Sequence, residues 1–358
     1  MPIPDISPEV IENSPFQSGA VLDTRTDAQK DKDYKFEELV SAAAPVAWTE
    51  KPQDVWRRFP IFNQDGSGSC VAQTMSKIMG VLYWLKNNVY VHFSATHIYQ
   101  RRVNKPAGGM GGVDVFQIAQ KGVTLEVLTP SQNMNDTQMD TTLVEKYKAD
   151  VGTVFKVGNY LMLPTKDIET VASVIQETGK AVMTWFYFTR AEWGKNVPTA
   201  DDLNLDLYAS TTSRHSVTAV DFTLYQGKKA LIIEDSWGFW NGFTGQRVIT
   251  EDFYKARNFF AAYPMNFSFD IQEVTKPKHT FTIDMQFGQT NDEIKALQDV
   301  LKYEALFPTN VDSTGYFGAV TKKAVQDFQL RYKIASETDA GFGRVGPKTR
   351  AQLNLLYS

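Results

Sequence analysis

The chain has 358 residues, 42% of them apolar and 13% aromatic, enough for a large core and, at this length, for two domains. Its formal net charge is −4 with both signs interspersed, so no basic surface marks it as a nucleic-acid binder. A single cysteine, Cys70, excludes an internal disulfide and points to a bacterial or viral source.

The opening residues, MPIPDISPEVIENSPFQSG, carry neither a basic n-region nor an apolar h-region, so no secretory signal is expected. No window approaches the roughly 18 apolar residues of a membrane span. Residues 1–45 are polar and proline-dotted. They read as an extension that wraps on the surface or is partly disordered. As a belt on the following domain, such an extension can occlude a cleft.

Residues 46–272 mix two periods. Val71, Met75, Ile78, Met79, Leu82 and Leu85 recur at helical spacing, whereas KAVMTWFYF, HSVTAVDF and KALIIEDSW are β-branched and aromatic and read as strands. Helix first and strands later predicts an α+β domain. Residues 273–283, with a proline among charges, read as a linker. Residues 284–358 form a small all-α unit with an internal echo, since GYFGAVTKKAV at Gly315 and GRVGPKTRAQL at Gly343 share the frame G-x-x-G-x-x-T-[KR]. Three helices are expected. The first is capped by Thr290 and Glu293 and buries Ile294, Leu297 and Leu301. The second turns Val320, Ala324, Val325 and Phe328 inward, and in the third Pro347 takes a first helical position.

The lone cysteine lies in NQDGSGSCVA, at the start of the first helical pattern. Unpaired N–H groups there favour an anion and lower a thiol pKa. A nucleophilic thiolate also needs a base, and His215 opens a strand pattern 145 residues later, inside the separation of roughly 130–150 residues seen in one class of thiol enzyme. Asp235 follows on the next strand of an expected hairpin. His92 and His97 lack cysteine partners and make no credible metal pair, and no cofactor is expected.

Together these stretches resemble the papain-like cysteine peptidases. Gln64 stands six residues before Cys70, HSVTAV is similar to the family's His-Ala-Val strand, DSWG to its Asn-Ser-Trp-Gly segment, and GMGGVDVFQIAQKGVTLE to its Gly-Gly motif before a helix. The resemblance implies a two-lobed catalytic domain, one lobe helical and one β. It implies Cys70 as nucleophile, His215 as general base and acid, and Gln64 with the Cys70 N–H as oxyanion hole. Trp237 would shield the contact between His215 and Asp235, and Gly111 and Gly112 would line the cleft. Aspartate stands where papain has asparagine, so Asp235→Asn should retain most activity. Arg214, before the histidine, would place a cation at the cleft. Residues 284–358, through LQDVL, STGYFGAVTKKAVQDFQ and VGPKTRAQLN, resemble the three-helix peptidoglycan-binding domain of cell-wall hydrolases. Asp312, Thr314, Tyr316 and Arg344 are its candidate wall contacts. The expected protein is a cysteine endopeptidase acting on peptide or peptidoglycan stem peptides at the bacterial wall, as a phage lysin, a virion-associated enzyme or an exported bacterial protein. The alternatives are a general peptidase merely localised at the wall and a silent wall-binding or virion structural protein.

Overall fold

A computed structural model describes residues 19–33, 45–269, 276–304, 306–307 and 313–358, which divide along the chain into two compact units, the first ending at Phe269. The first unit is built on one long helix and one six-stranded sheet. Helix α1 (Cys70–Asn87) is buried on every side from Cys70 to Leu82, because it packs between the sheet and the other helices. It stops at Asn88, whose left-handed backbone lets its N–H donate to the Trp84 carbonyl. Among the residues with helical spacing, only Leu85 is exposed.

In chain order the elements that place the site are β1 (Ala20–Val21), α1, β2 (Met110–Gly111), α2 (Gly112–Gln120), β3 (Tyr160–Met162), α3 (Ile168–Thr178), β4 (Val182–Phe188), β5 (Ser213–Tyr225), β6 (Lys228–Glu234), β7 (Gln246–Thr250) and β8 (Asn258–Pro264). The sheet order is β3-β8-β4-β5-β6-β7, antiparallel throughout. Strand β4 alternates its payload. Met183 and Trp185 join the core shared with α1, while Val182, Phe186 and Phe188 join a second core under α3. Strands β5 and β6 form the expected hairpin. Its two-residue turn, Gln226–Gly227, has positive φ at both positions (51° and 78°), which suits the right-handed strand twist.

The second unit contains α4 (Asp292–Tyr303), α5 (Ala319–Arg331) and α6 (Pro347–Tyr357). Its repeated glycine frame has a structural cause. Gln298 accepts from the Gly315 N–H and donates to the Tyr316 carbonyl and Thr321 Oγ1. Gln329 does the same for Gly343, Arg344 and Thr349. Each buried glutamine thus locks the turn that opens the next helix, and Phe317 and Val345, between the glycines, fill the core.

Three sequence expectations need correction here. The N-cap of α4 is Asn291, whose side chain accepts from the Ile294 N–H, while Glu293 accepts instead from the Thr282 N–H at 2.9 Å. Val320 is 48% exposed, and Thr321 takes the inward place because Gln298 binds its hydroxyl. Residues expected as linker also belong to the bundle, for Phe281 is buried in its core and the His279 N–H donates to the Tyr357 carbonyl.

Candidate active site

Cys70 opens α1 behind the N-cap Ser69. The preceding turn is tight, as the Ser67 N–H and hydroxyl both bond the Gln64 carbonyl and the Gly68 N–H donates to Asp136 Oδ1 at 2.9 Å. The thiol is therefore held at a helix N-terminus, where an anion is favoured.

His215 comes from β5 and Asp235 from the residue after β6. The antiparallel register pairs Thr218 with Glu234, which brings the two side chains together across the hairpin. His215 Nε2 lies 2.8 Å from Asp235 Oδ1, and both side chains are fully buried. Besides Asp235, the group that acts on the ring is Cys70, through its charge and a side-chain hydrogen bond. Burial opposes the imidazolium, but Asp235 and then Cys70 outweigh it and raise His215 to about 9. Burial likewise opposes the carboxylate, yet His215 and Arg247 hold Asp235 well below the usual range. The Trp237 ring lies tilted against His215, with centroids 4.9 Å apart, and is itself buried.

Gln64 reaches the same place by a strand-like crossing of the cleft. Its N–H donates to the Ser236 carbonyl at 2.8 Å, and the Gly238 N–H donates to the Phe62 carbonyl at 3.0 Å. Its side-chain Oε1 accepts from Ser236 Oγ and its Nε2 donates to the Ser67 carbonyl, which fixes the carboxamide. The residues singled out in the sequence as Gln64, Cys70, His215, Asp235 and Trp237 thus lie in one buried cluster.

The described part of the N-terminal extension enters this cleft. The Gly19 N–H donates to Cys70 Sγ at 3.2 Å, and its carbonyl accepts from the Met110 N–H at 2.7 Å. Strand β1 then runs parallel to β2, pairing Ala20 with Met110 and Val21 with Gly111. Only glycine fits at position 19, since a Cβ there would lie 1.8 Å from the Gly68 carbonyl oxygen. Gly111 and Gly112 line a pocket of about 340 Å³ beside the segment, together with Val21 to Arg25. Gly112 is also a packing residue, as a Cβ there would strike the Phe260 ring at 2.5 Å. Arg214 lines a second pocket, of about 340 Å³, with Gly19 to Leu22.

These features sit on a recognisable scaffold. The structure aligns with xylellain, a cysteine protease from Xylella fastidiosa, over 71% of this chain and 98% of that one, with a TM-score of 0.52 at 16% identity. It aligns with digestive procathepsin L2 from Tenebrio molitor larval midgut over 73% and 81% (TM-score 0.55, 16% identity), and with procathepsin B S9 from Trypanosoma congolense over 70% and 87% (TM-score 0.51, 14% identity). The first unit has the papain-like fold. Residues 290–353 match the family described as "Putative peptidoglycan binding domain". A comparison with curated proteins finds none that matches the sequence.

Of the candidate wall contacts, Asp312 lies outside the described residues. Thr314 and Tyr316 sit in the turn before α5 and Arg344 in the turn before α6, all exposed. Tyr316 and Arg344 occupy equivalent positions in the two copies of the repeat. Among the described residues no helix is long and apolar enough to cross a membrane, and no group of three metal-ligating side chains converges.

Sequence reasoning missed the groups behind the cluster. Trp193 Nε1 and Arg247 Nε each donate to Asp235 Oδ2 at 3.0 Å. Lys77, on α1, pairs with Glu234 at 2.7 Å, fully enclosed. The only available signal was a charged residue inside an apolar helix or strand pattern.

His97 has a purely structural place. Its Nδ1 accepts from the Thr124 N–H at 2.9 Å, and burial followed by the nearby Arg101 lowers its pKa to about 4. An unfolded histidine titrates near 6.5, so between these values the unfolded chain holds a proton that the folded chain does not. Stability should fall on acidification across that window, by up to about 1.4 kcal/mol per pH unit from this group. Urea unfolding at pH 7 and pH 4.5 should show a smaller difference for His97→Gln than for the wild type. Equal differences would mean that His97 is not protonated on unfolding.

Proposed function

We propose that the chain is a cysteine peptidase that hydrolyses amide bonds through Cys70, His215 and Asp235, and that its helical unit concentrates it on bacterial peptidoglycan in a lysin-like role. The observation that carries this reading is the meeting of one thiol at a helix N-terminus with a buried imidazole already paired to a carboxylate. In the first step the Cys70 thiolate attacks the amide carbon. The oxyanion forms between the Cys70 N–H and the Gln64 carboxamide, donors of a kind worth about 10²–10³ in rate each. His215, as imidazolium, protonates the leaving amine, then draws a proton from the water that hydrolyses the thioester. Asp235 orients the ring and stabilises its cation.

As found, the cleft is unproductive. A bound substrate must offer Sγ a carbonyl carbon, whereas residues 19–21 offer it the Gly19 N–H. This supports a latent form in which the extension must leave before substrate enters.

The helical unit would act through effective concentration rather than through the barrier. Division between the units, in the stretch 270–275, should therefore separate the functions. Residues 276–358 should sediment with purified peptidoglycan. Residues 1–269 should keep their rate on a soluble peptide and lose rate on intact wall. Mass spectrometry of fragments released from purified wall, with denatured casein as competing substrate, identifies the bond. Release of casein peptides alone would replace the wall substrate with a general one. A helical unit that stays in the supernatant would remove the targeting role.

A further inference from the structure

We propose that Arg247 is a positioning residue of the catalytic cluster, whose guanidinium balances the charge of Asp235 so that a buried aspartate can hold His215. The inference rests on the peptidase reading and extends it to a residue outside the three reacting groups.

The two oxygens of Asp235 are divided between two duties. Oδ1 faces His215 Nε2 at 2.8 Å. Oδ2 receives both the Arg247 Nε–H and the Trp193 indole N–H, each at 3.0 Å. The guanidinium is itself fixed, since its Nη1 donates to the Lys195 carbonyl at 2.9 Å and its Cζ lies 5.4 Å from the centroid of the Trp193 ring. Asp235 and Arg247 are each 1% exposed and His215 is 0% exposed. Water therefore screens none of these charges well.

Charge counting gives the arrangement a purpose. A thiolate and an imidazolium together are neutral, and an amide beside them, as in papain, keeps the cluster neutral. A carboxylate in that place adds one negative charge to a buried site. An uncompensated buried charge is costly, and it would tighten the hold on the imidazolium proton that catalysis must release. Arg247 restores neutrality from the side of Asp235 away from the ring. The charged groups that act on His215 directly are Asp235, after β6, and Cys70, from α1, and Arg247, from β7, acts through Asp235. The other walls of His215 are Phe188, Trp193 and Trp237.

On this account Asp235→Asn, nearly harmless on sequence grounds alone, leaves a buried guanidinium without its carboxylate. The test is an NMR titration of His215 in the full-length chain, assigned by its loss in His215→Ala, alongside hydrolysis of a soluble peptide. Arg247→Met should move the His215 midpoint up by about one pH unit, and Asp235→Asn should move it down by a similar amount. The double variant, Asp235→Asn with Arg247→Met, is again neutral. It should return the midpoint toward the wild-type value and recover at least about tenfold of the rate lost in Asp235→Asn, a coupling of about 1.4 kcal/mol. Arg247→Lys should keep the midpoint near wild type. A purely structural arginine would lower stability and rate without moving the midpoint, and losses in the double variant would add. That result would overturn the inference. If Arg247→Met does not fold, the downward shift in Asp235→Asn and its reversal in the double variant still decide the matter. A wild-type His215 that titrates like a free histidine, unaffected by Cys70→Ala, would instead overturn the peptidase reading itself.

Discussion

Replacing Gly19 with valine should switch the full-length chain on. The Gly19 N–H is in contact with Cys70 Sγ, and its missing side chain is what allows that contact. A Cβ would sit 1.8 Å from the Gly68 carbonyl oxygen, and neither backbone can yield without moving the start of α1. The cheaper response is for residues 19–21 to leave the cleft, giving up the two-residue pairing with Met110 and Gly111. Each 1.4 kcal/mol taken from that closed state raises the open population tenfold while the chain is mostly closed, so turnover of a soluble peptide should rise at least about tenfold. Thr24→Ala, at an exposed position in the same segment, should change it little. Equal rates for Gly19→Val and wild type would show that the segment does not restrain the enzyme. Unlike truncation, the substitution leaves in place the ion pairs of Arg25 with Asp23 and Asp33, so a gain cannot come from losing that fold-back.

The largest loss should come from the reacting pair. In the Gly19→Val background, Cys70→Ala should lower the rate of amide hydrolysis by about 10⁶, the scale found when a nucleophile that works as one unit with its base is removed. His215→Ala should cost nearly as much, and the double variant no more than either. The reason is that an imidazole without a thiol to activate, or a thiol without its base, contributes little alone. The oxyanion donors should leave a residue of about 10³–10⁴ over water in every case. Initial rates on one soluble peptide across the three variants check this. Additive losses would mean that Cys70 and His215 act independently, and a Cys70→Ala rate equal to that of its parent would remove Cys70 from the chemistry.

The candidate site could be singled out along the chain because its chemistry demands particular residue types at particular elements. A thiol at a helix start, a glutamine just before it and a histidine and an acid on neighbouring strands leave a trace in local order. The helical spacing of Val71 to Leu82 and the apolar runs of β4, β5 and β6 likewise follow from local periodicity. So does the bundle, whose repeated glycines open helices and whose glutamines, Gln298 and Gln329, each hold the same three positions of a copy: the glycine, the residue after it and the threonine six residues on.

Other features depended on contacts between distant segments, which carry no local pattern. Val320 shares a helical stripe with Ala324 and Phe328, yet α4 reaches Thr321 through Gln298 and leaves Val320 in solvent. Phe281 looked like linker because nothing near it in sequence shows the core it enters. Arg247 reads as a stray charge in a strand until the β6–β7 pairing sets it behind Asp235. The path of the extension was equally hidden, because Gly19 is one of 23 glycines. Its identity acquires meaning only where it meets Gly68, 49 residues on, over the sulfur of Cys70. Periodicity determined which elements form and which residue types could react. Tertiary packing decided which buried charges meet and what occupies the cleft, because burial and electrostatic pairing depend on separation in space and not along the chain.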